Sequence, residues 1–145
     1  MKNQKFDERQ LWIRGNVFQH AFFAQVLLLL LNALITSNGV VWADNFYMNL
    51  ILLFVPVVIC SLELIFRDVY IQTKIRRAII IGIFSAGALF GAIPRLVDLS
   101  KGESLWASGK LTHNGGGFVV SLLFAIIAGS LIIKTVMDKY AEQTE

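Results

Sequence analysis

Two apolar runs, residues 46–66 (FYMNLILLFVPVVICSLELIF) and 78–97 (AIIIGIFSAGALFGAIPRLV), flank a basic segment, 67–77 (RDVYIQTKIRR). A helix of about 20 such residues rises about 30 Å, the thickness of a bilayer's hydrocarbon core. Cytoplasmic loops collect Lys and Arg, so a basic hairpin between two spanning helices also fixes which way the chain faces. Arg67, Lys74, Arg76 and Arg77 are that hairpin's cations.

Composition supports the same class. Of the 145 residues 56% are hydrophobic and 16% are charged, where a soluble domain carries about 25% charge. The apolar residues are gathered into long runs rather than spread at amphipathic spacing, which argues against a soluble core. Short loops leave room for one membrane domain over 1–145. The net charge of +3 lies beside the spans and reads as a topology determinant, not as a surface for nucleic acid. A single cysteine, Cys60, excludes an intramolecular disulfide and any multi-cysteine metal site.

Two further runs complete four spans. Residues 17–35 (VFQHAFFAQVLLLLLNALI) follow a polar N-terminal segment that reads either as a surface helix or as a plain tail, with Gly15-Asn16 as a break before the span. A secretory signal cut after Ala43 is the competing reading. It is disfavoured by Asp7 and Glu8 in the charged region and by the distance of that site from the leucine run. The fourth span, 118–137 (FVVSLLFAIIAGSLIIKTVM), follows the polar connection 98–117, whose residues 114–117 are too glycine-rich to expect regular structure. The third span is expected to close at Pro94-Arg95. Outside the spans nine Lys and Arg fall on the side of the termini and two, Lys101 and Lys110, on the other. The expected fold is therefore an all-α, up-down bundle of four transmembrane helices with both termini cytoplasmic.

Small residues mark packing faces. Gly117, Ser121, Ala125 and Gly129 recur at four-residue spacing in the last span; Ala78, Gly82 and Ala86 do so in the third, beside Gly87-x-x-x-Gly91. Such rows let helix backbones approach closely, between spans three and four or across a dimer or partner interface. Polar residues within the spans are few. Gln25 and Asn32 fall on nearly one face of the first span; Glu63 can pair with Arg67, and Arg95 can snorkel to meet Asp98. His20, Glu63 and Lys134 share one depth, so an up-down bundle is expected to let His20 bridge the other two, unless local helix-end pairs claim them.

Motifs of enzymes are missing. His20 and His113 are expected on opposite sides of the membrane, and the chain has no H-E-x-x-H, phosphate-binding loop or thiol pair. The first span lacks the acidic residue that a small multidrug antiporter needs. No cofactor is expected. Asp7-Glu8-Arg9-Gln10 ahead of four spans resembles a group of uncharacterised small bacterial membrane proteins that begin D-E-R-Q or D-E-R-E, some of them encoded beside small DNA-binding regulators. That resemblance implies a bacterial plasma-membrane protein with a regulatory or accessory role. The reading is a non-enzymatic membrane bundle that contacts lipids and binds a protein partner or a second copy. The rival is a small transporter or export accessory using the polar residues of the first span.

Overall fold

The computed structural model describes residues 7–70 and 74–144. They form helices α1 (Glu8–Ser37), α2 (Asn45–Phe66), α3 (Lys74–Ser100) and α4 (His113–Thr144), with short strands β1 (Trp106–Ala107) and β2 (Lys110–Leu111) before α4. Lys2, Lys5 and residues 71–73 of the basic connection lie outside the described residues. All four helices are long and apolar enough to cross a membrane, and the class is all-α.

Each helix extends past its apolar run, and the reasons are local. Asp7 is the N-cap of α1, and its backbone N–H donates to Gln10 Oε1 at 3.3 Å. The D-E-R-Q sequence is thus a capping box that starts a helix. Helix α1 then runs unbroken through Gly15-Asn16, because one glycine costs only about 1 kcal/mol in a helix interior. The N-terminal segment from Glu8 is neither a separate surface helix nor a plain tail; it is the first turns of α1 itself. Helix α3 likewise does not close at Pro94-Arg95 but carries Pro94 within it to Ser100.

The segment 114–117 also departs from expectation: it is the first turn of α4. Its glycines allow close approach. A Cβ on Gly116 would strike the Cβ and ring of Tyr47, and one on Gly115 the backbone carbonyl of Leu105. Upstream, Trp106–Ala107 pairs antiparallel with Lys110–Leu111 across Ser108-Gly109. Both turn residues have positive φ, 51° and 78°, as a two-residue primed hairpin turn requires. Leu111 also bonds the α1–α2 connection: its N–H donates to Trp42 O at 2.9 Å and its carbonyl accepts from Asp44 N–H at 3.1 Å. The two connections form one small cap.

Packing order is α1, α2, α4, α3. Helix α4 packs against α2 and α3, and α1 packs against α2. This corrects the expected ring in which α1 neighbours both α2 and α4. The main core joins Val58 and Ile65 of α2 to Ile127 and Leu131 of α4, with Ile80, Ile81 and Phe84 of α3 against it. A second cluster joins Val17 of α1 to Leu64 and Val69. The most apolar stretches of α1 and α3 bury nothing, so these are the outer helices. Cross-links at both ends show that neighbours run up and down. His20–Glu63 and Lys134–Asp68 lie at the end that carries both termini, the tail end; Tyr47–Arg95 lies at the other, the loop end.

The small residues split between the two sides of their helices. Gly87 lies against the Phe124 ring, where a Cβ would come within 2.6 Å; Gly91 lies against Ser121, and Gly117 against Arg95. Gly82 and Gly129 have open space instead, and Ala86 and Ala125 are exposed. The four-residue rows therefore do not pack as rows. At about 100° per residue each four-residue step turns about 40°, so a row starting at Gly117 has left the interface by Ala125. The buried positions Gly117, Ser121, Ala128 and Leu131 follow the shorter helical period instead.

Candidate functional site: polar clusters at the two ends of the bundle

At the tail end the expected triad of His20, Glu63 and Lys134 separates into two clusters. His20 Nδ1 lies 3.2 Å from Glu63 Oε2, and Arg67 Nη2 lies 2.7 Å from Glu63 Oε1, one helical turn on. Lys134 does not reach Glu63. Its Nζ lies 2.7 Å from Asp68 Oδ1 and 3.1 Å from Asp138 Oδ1, and Arg77 Nη1 approaches Asp138 Oδ2 at 2.7 Å. The reason lies in the packing order, since α1 and α4 meet different sides of α2. Asp68 can face Lys134 because, just past the Arg67 C-cap of α2, it has φ 59°, a left-handed turn that redirects the chain.

Between these clusters Tyr70 is half-buried, and burial pushes its phenol above the usual range. A cavity of about 20 Å³, lined by Ile65, Asp68, Tyr70, Arg77, Leu131 and Lys134, has room for one water. We expect Lys134→Met and Asp68→Asn to be non-additive by more than about 0.5 kcal/mol in reversible unfolding in mixed micelles. Lys134→Met and Glu63→Gln should simply add. The reverse pattern would restore the single three-residue cluster.

At the loop end Arg95 does not snorkel to Asp98, which pairs with Lys101 at 3.6 Å instead. Arg95 Nη2 donates to the Tyr47 hydroxyl at 2.8 Å, and its Nε is buried without a hydrogen-bond partner. His113 stacks edge-on against Tyr47, ring centroids 4.7 Å apart, with Nε2 at 3.5 Å from the hydroxyl. Gly117 makes this geometry possible, since a Cβ there would come within 2.6 Å of Arg95 Nε.

No family model, curated protein or solved structure matches the chain. The chemistry of the site therefore rests on these residues alone. Ion pairs and amide bonds fix helix ends, and the described residues hold no group of three His, Cys, Asp or Glu side chains placed for a metal ion.

Of the pair Gln25 and Asn32 in α1, Asn32 finds a partner: Trp42 Nε1 donates to its Oδ1 at 2.8 Å, whereas Gln25 has none among the described residues. It lines a groove of about 570 Å³ between α1 and α2, with Phe18, Ala21, Phe22, Pro56, Val57 and Cys60 among its walls. Arg76 is exposed at the start of α3, and Lys74 opens that helix. Sequence reasoning had no role for Asp68, Asp138 or Tyr47 beyond charge and aromatic position. For Asp138 a signal existed, four residues after Lys134. Tyr47 had none, because its partners are 48 and 66 residues away.

Proposed function

We propose that this chain is a multi-pass protein of the bacterial plasma membrane, with both termini cytoplasmic. It acts without chemistry of its own, as a regulatory or accessory subunit that binds a soluble protein at the tail end. The observation that carries this reading is the clasp on the α2–α3 connection. His20 of α1 reaches its Glu63–Arg67 side, while Lys134 and Asp138 of α4 reach Asp68 and Arg77. Three helices thus hold the two ends of the basic connection, Arg67-Asp68 and Arg77, which favours binding because those groups need little further ordering on contact. Charge supports the orientation. At the loop end Arg95, Lys101 and Lys110 balance Asp44, Asp98 and Glu103, so the net +3 of the chain resides at the tail end.

The transporter reading draws less support, because most polar side chains within the spans are already paired: Asn32 with Trp42, Glu63 with His20, Lys134 with Asp68 and Arg95 with Tyr47.

The test combines labelling and capture. In a Cys60→Ala background, Lys101→Cys should react with an impermeant maleimide on intact cells, and Arg76→Cys should react only after lysis. In mild detergent, a cytoplasmic protein co-purifying with the wild type should fall at least about tenfold with Arg76→Glu/Lys139→Glu, as loss of interfacial charge complementarity requires. Proton-coupled flux in proteoliposomes, abolished by Gln25→Leu, would overturn the reading in favour of transport.

A further inference from the structure

Helix α1 has two faces. Val17, Ala21, Ala24 and Leu28 are buried or half-buried at spacings of four, three and four, the side that rests on α2. Beside it run Phe18, Phe22 and Leu29, exposed by 55, 64 and 48%. Gln25 lies in this second row, which also steps by four, three and four. A heptad row with one polar residue at a core position is how two helices fix register against each other.

Gln25 is the informative member. Eight residues into the first span, it sits about 12 Å below the boundary, deep in hydrocarbon. Its amide has no hydrogen-bond partner among the described residues. An acyl chain filling the groove would leave two amide donors and a carbonyl unsatisfied in lipid, which is expensive. The occupant must therefore bring a hydrogen-bonding group to that depth.

We propose that the occupant is α1 of a second copy of this chain, in a parallel dimer with Gln25 bonded to its own counterpart. A two-fold axis along the membrane normal brings any residue of α1 to the same depth as itself in the other copy. A primary amide is both donor and acceptor, so two of them meeting across such an axis satisfy each other reciprocally. Phe18, Phe22 and Leu29 of the two copies then pack above and below the amide pair. This assignment is independent of the soluble partner, because it uses the membrane face of α1 and none of the charged clasp.

The experiment is performed on the full chain in proteoliposomes of phosphatidylethanolamine and phosphatidylglycerol. Energy transfer between donor- and acceptor-labelled copies, followed as the lipid is diluted, gives the dimer constant. Gln25→Leu should weaken association roughly tenfold, and Gln25→Asn, which keeps the amide, should weaken it less. In the Cys60→Ala background, Gln25→Cys should cross-link under mild oxidation and Leu27→Cys, on the opposite side of α1, should not. Equal unfolding midpoints for the Gln25 variants separate loss of pairing from loss of fold. A wild type that stays monomeric at high protein-to-lipid ratio overturns the proposal, as does a dimer that Gln25→Leu leaves intact. Cross-linking that favours Leu27→Cys does the same.

Discussion

Gly116→Ala should destabilise the bundle by about 1–3 kcal/mol, the usual range for overpacking, with Gly116→Leu worse still. Helix propensity alone points the other way, since Gly→Ala in a helix interior gains up to about 1 kcal/mol. Sterics decide the sign here. The new methyl group would meet the Cβ and ring of Tyr47, atoms close to the α2 backbone that cannot swing aside, and Tyr47 is itself only 6% exposed. Relief requires α4 to move off α2, which would also disturb the cap that Leu111 makes with Trp42 and Asp44. Gly129 supplies the contrast within the same helix. Nothing lies within 4 Å of its added Cβ, so Gly129→Ala should gain a few tenths to about 1 kcal/mol, and Gly129→Leu should leave the bundle intact. Thermal unfolding of both variants in one detergent measures the difference directly. Equal effects at the two positions would mean that α4 does not meet Tyr47 through its first turn.

That contrast also shows what could be read from the sequence. The four apolar runs were legible because spanning length is a one-dimensional property, a count of residues against a fixed thickness. The helix ends were less so: α1 passes Gly15, and α3 passes Pro94, because a continuing helix outweighs one unfavourable residue. Gly117 and Gly129 look alike in a four-residue row, yet one faces Arg95 and the other faces open space. Separating them needs the identity of the neighbouring helix, which no local pattern carries. The tail-end cluster failed for the same reason. His20, Glu63 and Lys134 do lie at one end of the bundle, and His20 does meet Glu63, but position along the bundle axis is one coordinate of three. Packing α4 between α2 and α3 sends Lys134 to Asp68. The strand pair around Ser108-Gly109 was readable in principle from its turn residues, although two-residue strands offer almost no alternation to detect.

The second large effect is expected at Tyr47. The guanidinium of Arg95 presents five N–H donors and no acceptor, so it must be satisfied where it stands. Tyr47 gives it one acceptor at 2.8 Å, its Nε already lacks any, and none of the described carboxylates pairs with it. Tyr47→Phe should therefore cost about 1–3 kcal/mol or more, the penalty for leaving a donor on a charged group unsatisfied. Arg95→Met keeps an unbranched apolar stem against Gly117 and removes the charge together with its orphaned Nε, so its cost should be smaller than that of Tyr47→Phe. In the Arg95→Met background the hydroxyl of Tyr47 has only His113 Nε2, at 3.5 Å, and its loss should matter little. The cycle should thus give a coupling energy well above about 0.5 kcal/mol, read from reversible unfolding in mixed micelles. The competing picture has Arg95 leaving the bundle and snorkelling to the loop-end headgroups, which sequence alone suggests. In that picture the two substitutions act through separate environments and add. Simple additivity would place the Arg95 charge at the membrane surface and remove the reason for a glycine at position 117.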